Sequence, residues 1–470
     1  MKVEQIYTGC LAEAAYYIES NGEAVVIDPL RETEPYLERA EKDGAQIKYI
    51  LETHFHADFV SGHLDLAKKT GAKIVYGPTA APAFEAYVAE DNEVLQVGNV
   101  SIQVLHTPGH TMESTTYLLK DESGQDYAIF TGDTLFLGDV GRPDLAIKQG
   151  ELTREDLAGY LFDSLRNRIM PLADEVIVFP GHGAGSACGK KMSSDTQGTL
   201  GQQKLVNYAL RADMSKAEFI KEVTTGLVAP PQYFPKNAVL NKMGYESIDV
   251  VRERGLQALS VRAFKMAWEA EEALVLDTRS KGAFAKGFIP GSIFIGLDGS
   301  FAAWVGALIT DLKQPILFIA EPGREKEVVT RLARVGYDNA IGYLEGGVEQ
   351  WEIVGEELDA ISEIDPARFA RLFDGSNLDV LDVRKASEFN AEHLVGAQNF
   401  PLDFINQNMG QVERDKIYYL HCVSGYRSLV AASILKARGF AGVINVTGGY
   451  KELVKTPLKR TDYVEQSTEL

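Results

Sequence analysis

The second half of the chain repeats itself, and that repetition limits what it can fold into. Leu276-Asp277-Thr278-Arg279 is answered by Leu381-Asp382-Val383-Arg384, and in each copy a glycine, Gly291 or Gly396, follows the aspartate by fourteen residues. An apolar strand comes next, residues 316–319 or 417–420, then a loop and a helix ending near Gly336 or Gly439. Both copies close on a glycine pair, Gly346-Gly347 and Gly448-Gly449. Strand, loop, helix and strand at this spacing predict two copies of one small parallel sheet flanked by helices, roughly 100 residues each. The 470 residues leave room ahead of them for one larger domain. The expected division is 1–250, 256–357 and 358–470, with a boundary near residues 249–255.

From residue 3 to 105 short strands are expected to alternate with helical segments. Residues 24–27 and 73–76 read as strands, 34–43 and 63–70 as amphipathic helices, and 94–105 as a hairpin around Gly98-Asn99. The apolar run 47–51 feeds Thr53-His54-Phe55-His56-Ala57-Asp58-Phe59, so metal-capable side chains arrive at a strand's carboxyl end, where α/β folds place ligands. Three further stretches repeat that placement: His106-Thr107-Pro108-Gly109-His110, Thr131-Gly132-Asp133-Thr134 and Pro180-Gly181-His182-Gly183. Four such sites in a chain with eight histidines predict a metal centre. The polar stretch 181–201 reads as a long surface loop beside it.

These residues resemble the metallo-β-lactamase superfamily over roughly the first 240 residues, which implies an αββα sandwich of two sheets with helices outside. Two-metal members read His-x-His-x-Asp-His in the first motif. Here the last position is Phe59, which cannot ligate, so a mononuclear centre is expected. The fuller pattern, running on into Gly141-Arg142-Pro143-Asp144, resembles the persulfide dioxygenase branch. That resemblance implies one Fe(II) held by His54, His110 and Asp133, two imidazoles and a carboxylate that leave open positions. His56, Asp58 and His182 then orient ligands and handle protons, with direct ligation as their alternative. The implied reaction oxidises a low-molecular-weight thiol persulfide with O2 to sulfite, and Arg142 is assigned to substrate binding. Cys188, on the long loop, is a candidate sulfur relay, with an unreactive buried thiol as its alternative.

Cys422-Val423-Ser424-Gly425-Tyr426-Arg427-Ser428 joins a strand to a helix in the second repeat. Such a loop aims backbone N–H groups and the positive helix end at the sulfur, which stabilises a thiolate. It resembles the active-site loop of rhodanese sulfurtransferases, as Asp382-Val383-Arg384 and His393-Leu394-Val395-Gly396-Ala397 resemble that family's upstream signature. Cys422 and Arg427 are thereby implied as catalytic and Gly425 and Ser428 as substrate-binding. The first repeat has Ala320-Glu321-Pro322-Gly323-Arg324-Glu325 at the same place, with no cysteine. It is read as an inactive copy with a structural or docking role. The whole is therefore expected to be an α/β protein, a metallo-β-lactamase sandwich followed by two rhodanese-like parallel-sheet domains.

Composition narrows the partners. A net charge of -20, from 67 acidic and 47 basic residues, repels nucleic acid and anionic membranes. No apolar run approaches the roughly 20 residues that span a bilayer, and residues 1–8 lack a secretory pattern, so a cytoplasmic location is expected. Three widely separated cysteines argue against a disulfide framework. The expected partners are a persulfide of glutathione, coenzyme A or a similar thiol, O2, and sulfite or thiosulfate, with the chain forming a homo-oligomer. The competing reading is a zinc thioester hydrolase of the glyoxalase II type, against which Phe59 counts.

Overall fold

A computed structural model describes residues 1–147, 151–227 and 229–464. The chain divides into two compact units, Met1–Ile248 and a second made of Asp249–Leu332 with residues 337–464. Each is described by itself.

In the first unit two six-stranded sheets pack face to face. One joins the strands Lys2–Thr8, Glu13–Ser20, Glu23–Ile27, Gln46–Glu52, Lys73–Tyr76 and Tyr87–Val88 in chain order. The other runs from Val94–Val97 through Val100–His106, Thr115–Lys120, Asp126–Gly132 and Ile177–Pro180 to Gly198–Thr199. Between them lie Tyr16, Ile18, Val25, Ile27 and Leu51 of the first sheet and Ile102, Val104, Tyr117, Leu119 and Phe130 of the second. Side chains pointing the other way are buried as well. Tyr17, Val26 and Ile50 pack under the helices Glu34–Asp43 and His63–Thr70. Leu118, Ile129 and Val178 pack under Arg154–Ser164 and Lys216–Thr224. Covering both faces makes the central strands apolar throughout, and the layers are helix, sheet, sheet, helix.

The expected alternation of strand and helix fails at the start. The first three strands form an antiparallel meander, and helices enter only after Ile27. Asn21 and Gly22, both at positive φ, make the tight turn between the second and third strands. The 181–201 stretch is not a surface loop throughout either. His182, Ser186 and Cys188 within it are buried.

In the second unit each repeat is a five-stranded parallel sheet, and the strand orders correspond one to one. The first repeat runs Ala258–Leu259, Ala340–Leu344, Ile316–Ile319, Leu274–Asp277, Ile293–Phe294. The second runs Ser362–Ile364, Val443–Val446, Tyr418–His421, Asp379–Asp382, Gln398–Asn399. The repeated Asp-x-Arg has one structural meaning in both. Arg279 forks onto Asp277 and donates to the Gly287 carbonyl, while Arg384 forks onto Asp382 and donates to the Glu392 carbonyl. These paired charges bridge the fourth strand of each sheet to the C-terminal end of the helix that follows it, where a lone buried ion would be costly. Among the described residues no helix is long and apolar enough to cross a membrane.

Candidate metal centre and cysteine loop

Four strand ends of the first unit deliver the predicted side chains. His54 follows Gln46–Glu52, His110 follows Val100–His106, Asp133 follows Asp126–Gly132 and His182 follows Ile177–Pro180. His54, His110 and Asp133 are buried, and one donor atom of each lies within 4.8 Å of the others. Gly132 makes the approach possible. It sits at φ +47°, and a Cβ there would come 2.4 Å from the Thr53 hydroxyl.

The hydrogen bonds around the triad fix which atoms face inward. Thr53 Oγ1 donates to Asp28 Oδ2 at 2.8 Å, so the 2.9 Å contact with His54 leaves Nδ1 as the donor and Nε2 with its lone pair. His110 Nδ1 lies 2.9 Å from the Arg142 carbonyl, which can only accept, so its Nε2 is likewise free. Asp133 Oδ1 lies 2.8 Å from His182 Nδ1, and Asp133 Oδ2 is a buried atom with no hydrogen-bond partner among the described residues. That oxygen stands 3.4 Å from His110 Nε2 and 3.9 Å from His54 Nε2. Three lone pairs converging on one point, each with its other polar atom held from behind, suit a divalent metal ion. Burial keeps the His54 imidazole neutral. Burial opposes ionisation of Asp133 too, yet His182 holds its carboxyl well below the usual range.

The remaining predicted residues sit outside the triad. His56 turns away to Asp28 and Glu52, with Nε2 at 3.0 and 3.5 Å from their oxygens. Glu52 is held at about 2 against its own burial by His63 and His56. Phe59 is fully buried and packs against the His56 ring at 4.3 Å between centroids. His182 bridges Asp133 and Asp58, its Nε2 being 2.8 Å from Asp58 Oδ2. Arg142 forks onto Asp144 at 2.6 and 2.7 Å and, through its carbonyl, orients His110. Cys188 has a ligand atom within 4.8 Å of those of Asp58 and His182, and burial, reinforced by Asp133 and Asp58, pushes its thiol up. A cleft of about 190 Å³ opens onto His110 between Phe55, Glu113, Leu145 and Lys242.

In the second unit, Cys422 follows the strand Tyr418–His421 and is 1% exposed. Its sulfur receives the Gly425 N–H at 3.1 Å and the Ser428 hydroxyl at 3.7 Å. Among the described residues one backbone N–H and one hydroxyl thus meet the sulfur, where the sequence suggested several backbone N–H groups. Arg427 is turned to Glu388, with bonds of 2.6 and 2.8 Å. The Cys422 carbonyl is drawn away from the cradle by the Tyr450 N–H at 2.6 Å, and the Tyr450 ring lies under the Arg384 guanidinium at 3.8 Å. Gly449 lets this happen: it has φ +61°, and a Cβ would fall 2.4 Å from the Cys422 carbonyl oxygen. Gly449→Ala is therefore expected to cost about 1–3 kcal/mol, read as an earlier urea unfolding transition of the full chain.

Asp28, Glu52, Glu388 and Tyr450 were missed in the sequence. Asp28 had a visible signal, since it follows the strand Glu23–Ile27 just as the other site residues follow theirs. Glu388 and Tyr450 had none beyond their charge and size. The loop of the first repeat carries Glu321 in the region where the second has its cysteine, and that carboxylate accepts the Ser280 N–H at 3.1 Å.

Residues 8–182 match the metallo-beta-lactamase superfamily, and residues 260–353 and 365–456 each match the rhodanese-like domain. A crystal structure of a metallo-beta-lactamase from Staphylococcus aureus subsp. aureus COL is similar, with 32% identity and a TM-score of 0.64, covering 73% of this chain and 99% of that one. The chain is 31% identical over 227 residues to a hydroxyacylglutathione hydrolase of Rhodopseudomonas palustris, which is 44% of this chain and 86% of that protein. It is 31% identical over 182 residues to a probable hydroxyacylglutathione hydrolase of Schizosaccharomyces pombe, 39% of this chain, and spans 66% of that relative's length.

Proposed function

For a chain that belongs to the metallo-β-lactamase superfamily and carries two rhodanese-like domains, we propose a persulfide dioxygenase joined to a sulfurtransferase. A thiol persulfide, O2 and water give the thiol and sulfite, with two protons released. A sulfane sulfur on Cys422 then combines with sulfite to give thiosulfate, or the same step runs in reverse.

The observation that carries the reading is the donor set. His54 Nε2, His110 Nε2 and Asp133 Oδ2 converge, while His56 is withdrawn to Asp28 and Glu52 and Phe59 closes the adjoining position. Two imidazoles and one carboxylate suit a single Fe(II), which when bound would supply the oxygen chemistry and leave open positions. The protein's part is then to bind, orient and move protons. Thr53 and the Arg142 carbonyl fix the two imidazole tautomers. His182 holds Asp133 Oδ1 so that Oδ2 faces the centre, and its second nitrogen passes to Asp58, giving the released protons a buried route. The cleft beside His110 has apolar walls from Phe55 and Leu145 and polar ends at Glu113 and Lys242. Its size suits the sulfur end of a small thiol rather than a folded polypeptide.

The second reading is zinc-dependent thioester hydrolysis, favoured by the names of the hydroxyacylglutathione hydrolase relatives. Anaerobic purification followed by metal analysis separates the two. About one iron per chain and O2 uptake with glutathione persulfide are expected. About two zinc per chain, with S-lactoylglutathione hydrolysis and no O2 uptake, would overturn the proposal.

A further inference from the structure

The repeat that lacks a cysteine reaches into the site of the one that has it. Its short helix Lys281–Lys286 begins at Lys281, whose ammonium donates to the Ser424 carbonyl at 3.2 Å, two residues beyond Cys422. The same nitrogen lies 3.3 Å from where a Cβ on Gly425 would stand. It therefore rests on the rim of the cradle, at the face where glycine leaves the loop bare.

The placement is built rather than incidental. Phe294 of the first repeat donates its N–H to Ser433 Oγ at 2.9 Å and sets its ring edge-on to Tyr426 at 5.6 Å. Tyr426 Oη donates to the Gly296 carbonyl at 3.3 Å. Two turns of the helix that starts at the Cys422 loop are thus fastened to the first repeat. Glu321, from the loop that lacks a cysteine, holds the Ser280 N–H and so fixes the turn that presents Lys281.

Charge accounting gives this ammonium a task. Arg427, the loop's own cation, is matched by the Glu388 carboxylate, so that pair adds little net positive charge. Among the described residues Lys281 is paired with no carboxylate, and its partner is a neutral carbonyl. An ammonium at the rim with spare N–H donors suits an oxyanion. We infer that Lys281 is a specificity-determining residue of the Cys422 site, which draws sulfur oxyanions, of the sulfite or thiosulfate class, to the sulfur. This rests on the sulfurtransferase reading. In the loading direction the Cys422 thiolate attacks the outer sulfur of thiosulfate, the new S–S bond forms, and the bond to the oxidised sulfur breaks with its electron pair leaving on sulfite.

The test uses the full chain with wild type, Lys281→Gln and Lys281→Arg. Alkylation of Cys422 is followed by peptide mass with iodoacetate, an anion, and iodoacetamide, its neutral counterpart of similar size. Lys281→Gln should slow iodoacetate about tenfold and leave iodoacetamide within about twofold, and Lys281→Arg should restore the anion's rate. With thiosulfate as donor, Lys281→Gln should raise KM about tenfold with kcat little changed. Equal slowing of both reagents would mean a structural role, and unchanged rates no role; either overturns the inference. If wild type takes no sulfur onto Cys422 from thiosulfate, the sulfurtransferase reading fails with the substrate class, while the alkylation ratio still reports whether Lys281 attracts anions.

Discussion

Asp133→Ala is expected to lower the proposed persulfide-dependent O2 uptake about a thousandfold or more and to leave the purified chain without metal. The argument is the geometry of one side chain. Asp133 Oδ2 is the only anionic donor of the converging three, and Oδ1 is what His182 holds. Truncation removes the carboxylate and leaves two neutral imidazoles, too few to retain a divalent ion. Loss of an electrophilic centre of this kind forfeits several kcal/mol of transition-state stabilisation, about tenfold for each 1.4 kcal/mol. His56→Gln is the matched control. His56 is bound to Asp28 and Glu52, so the variant is expected to keep its metal and lose about 10- to 100-fold in activity through the disturbed surroundings. Elemental analysis and an oxygen electrode read both. Equal metal loss in the two variants would place His56 among the ligands and overturn the donor set of His54, His110 and Asp133.

Cys422→Ser is expected to abolish thiosulfate production from a persulfide, by about a thousandfold or more, with O2 uptake within about twofold of wild type. The hydroxyl can still accept from Gly425, so the loop keeps its shape, but oxygen cannot carry a sulfane sulfur as a persulfide does. The metal centre belongs to the other compact unit and retains all its donors. Sulfite should then accumulate in place of thiosulfate. Thiosulfate at the wild-type rate would show that the two halves work independently.

What was legible in the sequence followed from regular spacing. Apolar runs ending in His or Asp located the strand ends of the centre, and the Asp-x-Arg and Gly-Gly landmarks exposed two domains whose strand orders match. The opening meander was misread because both faces of Glu13–Ser20 are buried, which erases the alternation that marks an antiparallel strand. Only Asn21-Gly22 announced the turn. The direction in which His56 faces could not be read, because His54 and His56 belong to one motif and differ only in what stands behind them. Asp28 and Glu52 lie on the strand ends that decide it. Lys281 escaped for a different reason: its task depends on packing between repeats that are 143 positions apart at the contact.

The backbone behind the cysteine loop differs between the two repeats. The main-chain N–H of Tyr450, just after Gly448-Gly449, ties the Cys422 carbonyl back, whereas among the described residues the N–H of Val348, just after Gly346-Gly347, makes no such bond to the Ala320 carbonyl. A carbonyl left free to swing toward a sulfur anion would repel it, and the entropy of keeping it aside would have to be met at every turnover. Tethering settles that cost once, when the domain folds. The second repeat thus holds its carbonyl off the sulfur before any anion arrives, and among the described residues the first repeat has no corresponding tether.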